Sequence, residues 1–272
     1  MRCPGGVRSA RVRYMTTIGL MAAMPDETRS LLRLAGPATR KQSGRFVAWR
    51  FLLGGVDVCL MESGMGMERA EAAAEELCAV AAPAVIISFG FGGGARPGLH
   101  VGDLVVGTES WLYGANGLTF RNGINRKLAG RISAGLFSTV GAVTNGEIIT
   151  SSRILNKRQL ATSLPLEMTA PVLDMETAAV ADVASRHGIP LVALRAISDN
   201  ADEELSFSLD EFIDQDMTIS PLKVLATIVR KPWIIPQLIR LARSSRIAGE
   251  RLAHALTTVV GLLGDSGIIS VD

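Results

Sequence analysis

The sequence predicts a layered α/β domain built on a largely parallel or mixed sheet. Short apolar runs of strand length, helical patterns between them, and glycine or proline at the joins carry that prediction. The first strand is "TTIGLMA" (16–22); Pro25, Asp26 and Glu27 follow it, as at a helix start. "RFVAWRFLL" (45–53) and "VDVCLM" (56–61) flank Gly54-Gly55, a hairpin signal. From Met67 to Ala81, Ala70, Ala73, Ala74, Leu77, Cys78 and Ala81 share one helical face, the charged residues lie elsewhere, and Pro83 ends the helix. "AVIISFG" (84–90) is a strand emptying into a glycine-rich turn; after Arg96-Pro97-Gly98, "DLVVGTES" (103–110) is the next. A second helix, "ETAAVADVASRH" (176–187), stops at Gly188 and Pro190, ahead of the strand "PLVALRAIS" (190–198).

The chain of 272 residues is 48% hydrophobic, enough for a substantial core, and no Ser/Pro/Gly-rich linker divides it. We read one domain with decorated ends. Residues 1–15 are a basic leader (Arg2, Arg8, Arg11, Arg13) expected to be disordered, and 217–272 are a basic, amphipathic, helical extension. A net charge of +2 without basic runs interleaved with aromatics argues against nucleic acid as a partner. Cys3, Cys59 and Cys78, with His100, His187 and His254, show no metal-ligand spacing, so no metal is expected and a reducing cytoplasm fits. No apolar run reaches membrane-spanning length.

Gly90, Gly92 and Ala95 match the spacing of a dinucleotide-binding turn, but no helix opens there to face a phosphate, so the wall of another pocket is the better reading. Three acids stand at strand ends or helix starts. Glu27 and Glu176 read either as site residues or as first-turn acids complementing a helix dipole. Asp199 ends an apolar strand, where a carboxylate is costly unless paired or used; its alternative is a cap formed with Ser198 and Asn200.

The order of "IGLMAAMPDE", "MESGMGMERAEAAAEEL", "VIISFGFGGGARPGLHVGDLVV" and "VLDMETAAVADVASRHGIPLVALRAISD" resembles the purine nucleoside phosphorylase and methylthioadenosine/adenosylhomocysteine nucleosidase superfamily across residues 16–216. The resemblance implies a three-layer α/β/α sandwich around a central mixed sheet, cleavage of the bond between ribose and a purine, and no organic cofactor. It implies that Glu27 deprotonates the attacking water and that Asp199 protonates the departing base, holding a proton near neutral pH or borrowing one through water. Glu176 would grip two ribose hydroxyls above Met175, with Gly90, Phe91 and Gly92 forming pocket wall. Ser198, Ile149 and Thr150 fall at purine-holding positions, Ile149 where nucleosidases typically stack an aromatic.

The phosphate-gripping turns of the phosphorylases are absent: "MAAMPDE" stands at the first, and Ser88 and Phe91 replace the arginine and serine of the second. Water is therefore favoured over phosphate as nucleophile, with Arg69 and Arg96 the cations that could hold phosphate instead. The resemblance also implies a homo-oligomer. Between Asp216 and Glu250 the chain has no acid, while Leu238, Leu241, Ala242, Ser245, Ala248, Leu252 and Leu256 share one helical stripe. This extension reads as a surface for an anionic membrane or a greasy ligand, or as ordinary packing on the core or a second subunit. With Phe91 it resembles the hopanoid-associated branch, which removes adenine from adenosylhopane. A methylthioadenosine or adenosylhomocysteine nucleosidase and a non-enzymatic nucleoside sensor are the alternatives.

Overall fold

The computed structural model describes residues 16–153, 155, 157–201, 227 and 230–265. The basic leader and much of the extension's start, Lys223 included, lie outside the described residues.

The elements run β1 (Ile18–Ala22), α1 (Pro25–Ala35), β2 (Thr39–Ser43), β3 (Phe46–Leu53), β4 (Val56–Glu62), α2 (Met67–Ala81), β5 (Val85–Gly94) and β6 (Leu104–Gly114). Then come β7 (Gly117–Arg121), α3 (Arg126–Val140), β8 (Val143–Ser151), α4 (Lys157–Ser163), β9 (Val172–Asp174), α5 (Thr177–His187), β10 (Leu191–Asp199) and α6 (Ile235–Asp265). The strands form one mixed sheet in the order β10-β6-β8-β9-β5-β1-β4-β3-β2, with β7 on β6. A further β10–β5 pairing closes β10, β6, β8, β9 and β5 into a ring.

Helices cover both faces, as expected. One large core joins Leu31 of α1, Ile132 and Leu136 of α3 and Leu252, Leu256 and Val260 of α6 to strand residues such as Leu20, Ile87 and Leu194. On the other face Ala73 and Leu77 of α2 and Val180 and Val183 of α5 cover Met21, Met61 and Ile86. Each Leu or Ile removed from water contributes about 1.5–3 kcal/mol. The second half of α6 is thus core: along its stripe Leu238, Leu241 and Ser245 are half-buried, Ala242 is exposed, and Ala248, Leu252 and Leu256 are buried. Among the described residues no helix is long and apolar enough to cross a membrane.

One expectation needs correction, and one helix is absent from the sequence reading. The glycine run is strand, not turn: β5 continues to Gly94 because β10 pairs along it (Ile197↔Gly92, Asp199↔Gly93) and β9 joins at Gly93↔Leu173. Glycine there admits neighbours rather than bending the chain. Helix α3 went unread although Leu128, Ala129, Ile132 and Leu136 have helical spacing and Asn125 caps it, its side chain accepting the Leu128 N–H at 3.0 Å.

Candidate active site

Parallel strands β1, β5 and β10 deliver their carboxyl ends side by side, where ligands collect in open α/β sheets. Helix α1 opens directly after β1, so Glu27, on its first turn, stands at that edge and is 4% exposed. Its Oε2 accepts the Ala23 N–H at 2.8 Å and that of Met24, the N-cap, at 2.9 Å. Its Oε1 reaches across to accept the Phe91 N–H of β5 at 2.8 Å. Glu27 therefore does cap its helix, and one of its oxygens also serves another strand. Burial pushes its carboxyl above the ordinary value; the bonds from Phe91 and Met24, the charge of Arg195 and the bond from Ala23 oppose the rise.

A cavity of about 10 Å³, room for roughly one water molecule, is lined by Glu27, Ser63, Gly90, Phe91, Glu176 and Arg195 among others. Glu176 occupies the N-cap of α5 but makes no cap bond with its side chain. Its Oε1 accepts the Gly66 N–H at 2.8 Å and its Oε2 that of Met175 at 3.3 Å. The bond to Gly66, on the distant β4–α2 loop, is not that of a dipole-complementing first-turn acid. Burial first, then the carboxylates of Asp174 and Glu27, push Glu176 up to about 8.

Arg195, in the middle of β10, is a site residue that sequence reasoning missed. It is 2% exposed, and its guanidinium donates to Asp174 Oδ2 (2.6 Å), the Ser88 hydroxyl (2.9 Å) and carbonyl (3.0 Å), and Thr177 Oγ1 (2.6 Å). The one available signal was a cation interrupting the apolar run "LVALRAIS". A charge so buried persists only when paired.

Asp199 ends β10 beside Gly93 and does not line that cavity. Its Oδ1 accepts from the Ser198 hydroxyl at 2.6 Å, and its Oδ2 is ion-paired with Lys157, a second residue missed from sequence. Thr150, fully buried, donates to Asp174 Oδ1 at 2.6 Å and accepts the Ala178 N–H at 2.9 Å. Ile149 is buried in a small apolar cluster with Leu160, Leu164 and Met168. Gly92 lies against Val172, whose Cγ1 would be 2.4 Å from an added Cβ. Met175 sits half-buried next to Glu176. The structure thus gathers Glu27, Glu176, Gly90 and Phe91 around one cavity, and places Asp199, Ser198, Ile149, Thr150, Gly92 and Met175 outside its lining.

Neither cation considered for phosphate points there freely. Arg96 donates to the carbonyls of Leu164 (2.9 Å) and Pro165 (3.0 Å), and also to that of Met168. Arg69 donates from Nε to the Ser63 carbonyl at 3.1 Å. Among the described residues no three His, Cys, Asp or Glu side chains cluster to hold a metal ion.

Buried carboxylates around a small cavity, at the carboxyl ends of a mixed sheet sandwiched between helices, are the arrangement of an α/β enzyme acting on a small molecule. The chain belongs to the phosphorylase superfamily, whose model matches residues 17–230. It is 30% identical, over 72% of its length and 91% of the relative's, to the 5'-methylthioadenosine/S-adenosylhomocysteine nucleosidase of Actinobacillus succinogenes. The corresponding protein of Haemophilus influenzae is 28% identical over the same shares. Among solved structures, the Neisseria meningitidis nucleosidase in complex with methylthio-immucillin-A superposes with a TM-score of 0.68 at 21% identity, covering 90% of this chain and 98% of its own. Futalosine hydrolase of Helicobacter pylori gives 0.70 at 17% identity, covering 91% and 98%.

Proposed function

We propose that this enzyme hydrolyses the N-glycosidic bond of an adenine-bearing nucleoside. One observation carries the reading: Glu27, its carboxylate fixed by three backbone N–H groups, borders a cavity of one water's size that Glu176 also lines. Cleavage passes through an oxocarbenium-like state, which calls for a base on the water, an acid on the leaving purine and polar grips on the sugar. A carboxyl raised by burial is a better base near neutral pH, which suits Glu27. Glu176 takes the ribose hydroxyls and Asp199 the proton transfer to the base. The engagement of Arg96 and Arg69 with backbone carbonyls supports water over phosphate.

The five-prime substituent is, on this reading, a large hydrocarbon, as in adenosylhopane. An added Cβ on Gly249 of α6 would stand 3.7 Å from Phe91 Cζ, so the extension reaches the pocket wall. Earlier along the same helix, Ile235, Ile239 and Ile247 are exposed beside Arg243 and Arg246, with Trp233 just ahead 66% exposed. That face also suits peripheral contact with an anionic membrane. The nucleosidase relatives favour a second reading, methylthioadenosine or adenosylhomocysteine as substrate. A homo-oligomer belongs to either reading, and light scattering tests it.

The deciding experiment measures adenine release from adenosylhopane, methylthioadenosine and adenosylhomocysteine, with and without phosphate. Phosphate-independent release, with Ile235→Ser/Ile239→Ser losing adenosylhopane turnover alone, is the expected result. Strict dependence on phosphate would reject hydrolysis, and equal loss on all substrates would reject the hydrocarbon role of α6. Absence of free base from every substrate would leave nucleoside binding without catalysis.

A further inference from the structure

Asp199 and Lys157 form an ion pair that the reaction scheme above does not use. Lys157 opens α4, its side chain is only 10% exposed, and all its donors go to the end of β10. Besides Asp199 Oδ2 it donates to the carbonyls of Asn200 at 2.9 Å and Asp199 at 3.3 Å. A buried ammonium is retained only where such partners compensate its lost hydration. Strand β5 makes room for the pair: a Cβ on Gly93 would lie 3.0 Å from Asp199 Oδ2 and from Lys157 Cε and Nζ.

The Asp199 carboxylate accepts on both oxygens, from Ser198 and from Lys157. That is the pattern of an ionised carboxylate, so in this arrangement the transferable proton sits on the ammonium. We propose that Lys157 is the positioning residue and proton reservoir for Asp199. The inference rests on the reading of Asp199 as the group that protonates the leaving base. As the C1'–N9 bond breaks and its electron pair passes into the purine, N7 becomes strongly basic. A proton moves from Lys157 Nζ to the Asp199 carboxylate, and Asp199 passes that proton on to N7. Lys157 is left as a neutral amine, adenine leaves neutral, and Glu27 holds the proton taken from water. Exchange with solvent returns one proton to Lys157 and removes the other from Glu27.

The test compares wild type, Lys157→Met, Lys157→Arg and Asp199→Asn on the adenosine derivative turned over fastest in the panel above and on its N7-methyl form. The methylated base already carries positive charge and needs no proton to depart. Lys157→Met is expected to lower kcat on the ordinary nucleoside about a hundredfold, with KM little changed, and to leave the N7-methyl substrate within a few-fold of wild type. Lys157→Arg keeps a cation that cannot give up its proton and is expected not to restore kcat. Equal loss on both substrates, an unchanged Lys157→Met, or full kcat in Lys157→Arg would each overturn the proposal; the arginine variant decides alone if the methionine variant fails to fold. Should Asp199→Asn lose activity while Lys157→Met does not, this inference fails and the proposed function stands. No base release by the wild type on any substrate rejects both.

Discussion

A methyl group added to Gly90 would stand 2.4 Å from Glu27 Oε1, closer than real contacts allow, so the backbone of β5 and this carboxylate are fitted to one another. Gly90→Ala is expected to push Glu27 off the Phe91 N–H and lower kcat at least tenfold. Overpacking of this kind costs about 1–3 kcal/mol, so the variant should still fold. Adenine release alongside a thermal melt checks both parts.

Glu27→Gln keeps the size of the side chain but removes the proposed base. We expect kcat to fall by about a hundredfold to ten-thousandfold with KM little changed. A decrease under threefold in steady-state assays would take Glu27 out of the water-activating role.

Arg195→Met leaves Asp174 buried without its cation, a loss of about 3–5 kcal/mol in chemical denaturation. The double variant with Asp174→Asn is expected to recover part of it, because no uncompensated charge then stays inside. Equal instability of the single and double variants would show that packing, not the pair, sets the cost.

Glu176 gives stability a pH dependence of defined sign. Its folded value of about 8 exceeds the ordinary 4.5, so the folded state holds the proton more tightly. The contribution is full below about 4.5 and is lost as pH rises towards about 8. Glu176→Gln lacks this decline. Its melting temperature relative to wild type is expected to rise between pH 5 and pH 8, as thermal scans across that range will read.

The layers were legible because they rest on local signals. The alternation of strands and helices, the face of α2 and the hairpin at Gly54-Gly55 are each written within a few residues. The missed features depend on pairing between distant segments. Arg195 meets Asp174 from 21 positions away, and Lys157 reaches Asp199 across 42, through neighbours that only the closed ring of strands creates. The glycines suggest a turn because their local freedom is visible in sequence. What presses against them, Glu27 at Gly90 and the Lys157–Asp199 pair at Gly93, is not.

Those two contacts make β5 a gauge. Glu27, the proposed base, is registered on residue 90 and Asp199, the proposed acid, on residue 93, about 10 Å apart along an extended backbone and on its opposite faces. Lengthening that interval by one amino acid would slide one contact along the strand by about 3.3 Å relative to the other and turn the following side chains to the opposite face. Loops elsewhere can grow or shrink, but the spacing of these two contacts is set by the rise of the strand itself.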